Sequence, residues 1–476
     1  MDSGSCRRFF VPRAGAAVHA FTLILLASLV ACGCAPRPAA PQSNAVLFEG
    51  ARLIVGDEQS PIESAAFVVE NGSFTAVGRA GEVQLPNGAT RVNLAGKTVM
   101  PAIIDAHGHM GYRRGASFLV ENYTRDNLID HLERQAYHGV AAFMSMGTER
   151  DLGYALRDEL RAQPQAGLAL FLTAGRGLAM PNGGPAPPLR DSPYSVSTPD
   201  EARAAVRELA AKKIDRYVKI WVDDREGQVK KLTPDLYSAA IDEAHTLGLK
   251  TITHTQDRED VKAILRAGID GLAHPPWRLG QEVDDELVGL FKERPHVFVL
   301  LTLWGTRNQI FGPRPSWIDE PLLRETFTDE DIRLLENPKI PADAPAKWRS
   351  GVVPRGVARL KAAGVRFGLG DDAGATNGAQ YFGFGAHMEM ASMVEAGLTP
   401  ADAITAATRN SAEFLGLERL GSVEAGKSAD FIVLDANPLE NIHNTRRINA
   451  VYLRGQAVDR AALRAKWTGA GVRQTR

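Results

Sequence analysis

Met100-Pro101-Ala102-Ile103-Ile104-Asp105-Ala106-His107-Gly108-His109 is an apolar run that stops abruptly on two histidines separated by one glycine. It reads as a buried strand ending in ligands. Residues two apart in an extended strand point to the same face, so His107 and His109 can present ring nitrogens to one metal ion. In a chain with 11 histidines one such pair carries little weight alone. What decides is whether later strands end in the same way.

Outward from this stretch, roughly 300 residues alternate short apolar strands with amphipathic helices, the pattern of parallel βα units and the length of a TIM (β/α)8 barrel with insertions. Strands are expected near 99–107, 140–146, 167–174, 216–222, 249–254, 269–274, 297–303 and 365–372. Thr198-Pro199-Asp200-Glu201, Thr233-Pro234-Asp235 and Thr399-Pro400-Ala401-Asp402 each combine a capping threonine with proline at the first helical position. In such a barrel the active site lies at the C-terminal strand ends.

The strand ends carry chemistry. On Tyr217 to Val222 the apolar Val218, Ile220 and Val222 share the face expected against helices, so Lys219 points inward. A buried ammonium needs a carboxylate, such as Asp223 or Asp224, or conversion to a carbamate that can itself bind metal. The strands Leu249 to His254 and Ile269 to His274 both end in histidine. In Val365 to Asp372, Asp372 shares the glycine face of Gly368 and Gly370 and is the better candidate for ligand and proton shuttle. Asp371 lies with Phe367 and Leu369 and is expected behind the site.

Taken in order, His107, His109, Lys219, His254, His274 and Asp372 resemble the amidohydrolase superfamily, most closely its imidazolonepropionase-like and prolidase-like branch. Ala403 to Asn410 and Gly421 to Asp430 resemble that branch's scaffold segments, and the likeness spans nearly all of residues 45–460. The resemblance implies two divalent metal ions, most commonly zinc, with a carbamate on Lys219 bridging them. His107, His109 and Asp372 would hold one ion, and His254 and His274 the other. Deaminases on this fold generally lack the lysine ligand. The chain departs from many relatives in having Pro185 after Gly183-Gly184, where they carry histidine, and Pro275-Pro276 after His274. Trp277, Arg278 and His387 are candidate substrate contacts, Arg278 as a partner for a substrate carboxylate. Trp304, Arg307 and Tyr381 are further pocket candidates, and the Gly/Pro-rich loop from Gly175 to Thr198 a pocket wall.

The two ends of the chain differ from this middle. Short β-rich runs over 45–98 and 421–462 are expected to form one small β-sandwich flanking the barrel at 99–420, with 463–476 as a tail. At the N-terminus, Arg7, Arg8 and Arg13 precede an apolar run that ends Leu29-Val30-Ala31-Cys32-Gly33. That is the order of a signal peptide over 1–34 with a lipobox, followed by a Pro/Ala tether over 35–44, and implies export to the cell envelope with a lipid anchor at Cys32. Arg7-Arg8 leaves both Sec and twin-arginine export open. All 3 cysteines lie in this leader, so ligands in the folded body must be His, carboxylate or lysine derived. A net charge of −1 gives no nucleic-acid footprint, and membrane contact is expected through the anchor only.

The expected activity is metal-dependent hydrolysis of an amide C–N bond in a small molecule, a dipeptide or N-acyl amino acid. A hydrolase of cyclic amides, lactones or carbamates is the alternative within enzymes. A metal-containing binding lipoprotein without catalysis is the alternative outside them.

Overall fold

The structure is a computed structural model that describes residues 44–57, 59–115, 117–187, 189–278, 281–303, 316–336, 351–375 and 381–468. The signal, lipobox and tether expected over 1–43, and Trp304 and Arg307, lie outside them. The described residues cluster as one compact unit.

The chain enters as β1 (Val46–Leu53), β2 (Ile62–Glu70), β3 (Ser73–Arg79), β4 (Thr90–Asn93) and β5 (Thr98–Pro101). The expected strand at 99–107 is in fact two. Pro101 pairs in register with Phe431, Ala102 N donates to Asp430 O, and Ile103 N donates to Gly139 O. The backbone therefore changes partners between Pro101 and Ile103, and the histidines belong to β6 (Ile103–Gly108). After a two-residue ribbon, β7 (Arg113–Arg114) and β8 (Ser117–Phe118), come β9 (Val140–Gly147), β10 (Leu170–Arg176), β11 (Leu178–Ala179), β12 (Tyr194–Ser195), β13 (Tyr217–Trp221), β14 (Lys250–His254), β15 (Gly271–Leu272), β16 (Phe298–Leu300) and β17 (Arg366–Gly368).

These strands pair in parallel in the orders β10-β9-β6 and β12-β11-β13-β14-β15-β16-β17. Gly177 joins β10 to β11. Beyond β17 the chain returns to β6: Ala106 N donates to Leu369 O at 2.9 Å, Asp372 N to His107 O at 2.9 Å and His109 N to Ala373 O at 2.7 Å. One set of strand side chains, including Ile104, Ala106, Met144, Leu172, Ala174, Tyr217, Ile252 and Phe298, packs together over Phe414. Val218, Ile220 and Val222 pack instead with the helices Pro199–Ala211 and Pro234–Thr246, as their period requires. Thr198 caps the first of these helices by accepting from Glu201 N, and Thr399 forms a full capping box with Asp402 on Pro400–Thr405.

The chain closes with β18 (Phe431–Leu434), β19 (Ile448–Leu453) and β20 (Gln456–Ala457). Both chain ends meet as expected, but in one eight-stranded mixed sheet, ordered β20-β19-β18-β5-β1-β2-β3 with β4 on β1. A two-sheet sandwich is not what the described strands form. The reason lies in β1, whose register shifts around Gly50, at φ +93°. Its first half pairs with β4 and its second with β5 along the same edge, so the sheet stays continuous. Phe48, Phe67, Phe74, Phe431 and Tyr452 fill one face, with Phe431 and Tyr452 stacked at 4.6 Å.

Glycine at 177 makes room for β13. A Cβ there would stand 2.1 Å from the Trp221 ring and 2.9 Å from Lys219 O. Gly177→Ala is therefore expected to cost about 1–3 kcal/mol by overpacking, read by urea denaturation, with a changed near-ultraviolet signal from the displaced indole.

Candidate metal centre

The structure brings each of the six expected ligands within 3.5 Å of another member. His107 is fully buried, and its Nδ1 lies 3.1 Å from Ala273 O. A carbonyl only accepts, so Nδ1 carries the proton and Nε2 turns inward with a free lone pair. That Nε2 is 3.3 Å from Lys219 Nζ and 3.5 Å from Asp372 Oδ1. His109, two residues on, places Nε2 3.2 Å from the same oxygen, while its Nδ1 meets Thr148 Oγ1 at 3.3 Å. One donor atom each from His107, His109 and Asp372 fall within 4.8 Å of one another. Three such donors fit around a cation that binds each at about 2 Å.

Backbone geometry enforces this approach. Gly370 passes so close that a Cβ would stand 2.6 Å from His107 Cβ. Asp372 adopts φ +56°, a left-handed conformation that aspartate tolerates better than most residues.

On the other side, His254 Nδ1 and His274 Nε2 face each other at 2.7 Å. His274 Nδ1 meets Thr302 Oγ1 at 2.9 Å, and Thr302 has φ +41°. A β-branched residue is costly in that region, a strain found chiefly where side-chain placement matters. Burial holds His107 and His274 well below the usual histidine range, so both are neutral ligands.

Lys219 shows no exposure. Burial lowers its amine to about 7 against the opposing pull of Asp372. Its stem and the Trp221 ring occupy space left by Gly147, where a Cβ would stand 2.8 Å from Lys219 Cγ. Neither neighbouring carboxylate partners it: Asp223 takes His254 Nε2 at 3.1 Å, and Arg278 takes Asp224 at 3.0 Å.

Behind the histidines sits a pair of buried acids, Asp105 and Asp371. Asp371 N donates to Asp105 Oδ1 at 3.3 Å and Gln135 Nε2 to Asp105 Oδ2 at 3.2 Å. Burial raises both, and for Asp371 the neighbouring Asp105 adds to the rise. Asp371 thus lies behind the ligands, as its strand face required.

The three candidate substrate contacts fare differently. Trp277 is a core residue, 4% exposed, with its ring against Gly356 of the helix Val352–Ala362. It turns away because Pro275-Pro276 redirects the chain, with Trp277 N bonded to Pro275 O. Arg278 spans Asp223 and Asp224 at 3.1 and 3.0 Å, so its fork is already engaged by carboxylates of the chain. His387 donates from Nε2 to His138 O at 2.8 Å. His138 precedes β9, so that contact lies at the opposite end of the strands from the ligands. Tyr381 packs edge-on against Phe327 at 4.5 Å. A cavity of about 900 Å3 lined by Asn44, Arg157, Leu417 and Arg454 likewise lies away from the ligands.

Sequence reasoning missed Thr148, Glu149, Asp223 as a histidine partner, and Thr302. Each follows a strand by a few residues at its C-terminal end, which is the signal that could have found them. Glu149 is buried, accepts from Thr173 Oγ1 at 2.7 Å, and is raised by burial to about 7.

These donors gather at the carboxyl ends of parallel strands in an α/β fold, an arrangement that fits divalent cations. Residues 98–458 match the amidohydrolase family, and the chain belongs to it. An uncharacterized protein of Mycobacterium bovis is 28% identical over 211 residues, 42% of this chain and 49% of that protein, so the chain spans about half the length of this relative. Ochratoxinase of Aspergillus niger is 25% identical over 448 residues, 84% of this chain and 83% of the enzyme. Among solved structures, a Xaa-Pro dipeptidase with methionine bound in its active site superposes with a TM-score of 0.68 at 23% identity, covering 87% of this chain and 99% of that one. These folds imply a TIM barrel.

Two outcomes test the assignments. Trp277→Ala is expected to destabilise the fold by about 3–5 kcal/mol, as a core truncation does, and a normal denaturation midpoint would return Trp277 to the pocket. Glu149 is raised from 4.5 to about 7 in the fold. The unfolded chain therefore releases this proton first, and stability falls as pH rises through that window. Glu149→Gln removes this fall, flattening stability between pH 5 and 8 by up to about 3 kcal/mol relative to wild type.

Proposed function

We propose that the chain is a binuclear, zinc-dependent amidase whose eight parallel strands close as a TIM barrel, and that it cleaves the C–N bond of a dipeptide or N-acyl amino acid. The observation that carries this reading is the convergence of His107, His109, Lys219, His254, His274 and Asp372. The donor set fits divalent cations: it is all nitrogen and oxygen, burial favours the neutral rings of His107, His254 and His274, and it suits zinc. His107, His109 and Asp372 would hold one cation, and His254 and His274 the other. Lys219, buried without a carboxylate hydrogen bond among the described residues, would add carbon dioxide through its neutral amine and release a proton, and the oxygens of the resulting carbamate would be further ligands for the cations. The bound cations supply Lewis acidity, which polarises a carbonyl and makes water nucleophilic near neutral pH.

Asp372 takes the proton of the attacking water and passes it to the departing nitrogen. Its left-handed backbone aims the carboxylate across His107 and His109 for this transfer. Ala273 O and Thr148 hold the two rings still while it occurs. The substrate class draws on the relatives, of which one is named a Xaa-Pro dipeptidase and another ochratoxinase. The leader sequence adds an exported location with a lipid anchor at Cys32.

Hydrolysis of a dipeptide and N-acyl amino acid panel by zinc-loaded protein is the test. Asp372→Asn is expected to lower kcat by about 10²–10⁴ with the fold intact, and unchanged turnover would remove its role. Lys219→Ala should lose paired metal binding and recover part of its activity with small carboxylic acids. Full metal content in that variant would contradict the carbamate.

A further inference from the structure

Asp223 stands just past β13 and uses both carboxylate oxygens. Oδ2 lies 3.1 Å from His254 Nε2. Oδ1 accepts from Arg278 Nη2 at 3.1 Å and from Arg225 N at 2.9 Å. A carboxylate so held has only acceptors to offer, so the shared proton sits on His254 Nε2. In the neutral ring Nδ1 is then the bare nitrogen, and Nδ1 is the atom that faces His274 Nε2 at 2.7 Å. Arg278 also reaches Asp224 Oδ1 at 3.0 Å, and its Nε lies 4.0 Å from Asp257 Oδ2. The guanidinium is thus tied to the segments following β13 and β14.

We propose that Asp223 is the positioning residue of the second cation position, fixing the tautomer and orientation of His254, and that Arg278 is the brace that holds Asp223. This rests on the reading that His254 and His274 hold a cation. Without Asp223 the ring keeps no partner for Nε2–H among the described residues. It is then free to rotate or to move its proton to Nδ1, where it blocks ligation. Partners of this kind are worth about 10- to 100-fold in metal affinity. The arrangement also gives Arg278 a role that needs no substrate.

The test is stepwise zinc titration of metal-free full-length protein against a chromophoric chelator. Asp223→Ala is expected to weaken one of two equivalents by about 10- to 100-fold and to leave the other at its wild-type affinity. Asp223→Asn, whose amide oxygen still accepts from Nε2–H, recovers most of the loss, and Arg278→Gln weakens the same equivalent by a smaller factor. Two equivalents of wild-type affinity in Asp223→Ala overturn the positioning role and leave the binuclear reading standing. Wild-type protein that takes up fewer than two equivalents overturns that reading, and the role with it. A second measurement is independent of how the variants fold: imidazole nitrogen-15 shifts in metal-free wild-type protein should show His254 protonated at Nε2, and protonation at Nδ1 would overturn the proposal.

Discussion

The constraint on which the site depends is the burial of the Lys219 amine among imidazoles. Its Nζ lies 3.3 Å from His107 Nε2 with no exposure to solvent. A lone ammonium there is expensive, and a second positive charge on a neighbouring ring would raise the cost further. The arrangement is stable only with neutral rings and an amine that is uncharged or chemically converted. Burial drives His107 and His274 to their neutral forms and lowers the amine toward neutrality. The outcome is a set of lone pairs aimed at shared space, which is the condition for binding cations.

That condition is met by backbone as much as by side chains. Gly147, Gly177 and Gly370 vacate the volume that Lys219, Trp221 and His107 occupy. Asp372 and Thr302 hold left-handed backbones where their side chains meet the histidines. Around this centre, Ala273 O, Thr148 and Thr302 each take the far nitrogen of one ring. The chain thereby sets ring orientation before any cation arrives, so binding need not order the ligands.

Much of this was legible in the sequence, because a strand's period of two fixes which residues share a face. Lys219 opposite Val218 and Ile220, and Asp372 apart from Asp371, followed from that rule alone. So did the strand-terminal histidines, since strand ends are where side chains face the site. Partnership across the fold was not legible. Nothing local says that β1 divides one edge between β4 and β5, so strands correctly expected at both ends form one sheet where a sandwich was expected. The loop after His274 misled for a related reason: proximity to a ligand placed Trp277 and Arg278 in the pocket, whereas Pro275-Pro276 sends the indole into the core and Asp223 and Asp224 claim the guanidinium. His387 failed likewise, because its helix runs back to the far end of the strands and meets His138.

The central claim is that these six side chains hold two cations. Anomalous scattering from a crystal of the zinc-loaded protein tests it most directly. The account predicts two peaks per chain, one bounded by His107, His109 and Asp372 and one by His254 and His274, with density extending from Lys219 Nζ to both. A single peak, or none at these residues with an unmodified Lys219, would contradict it.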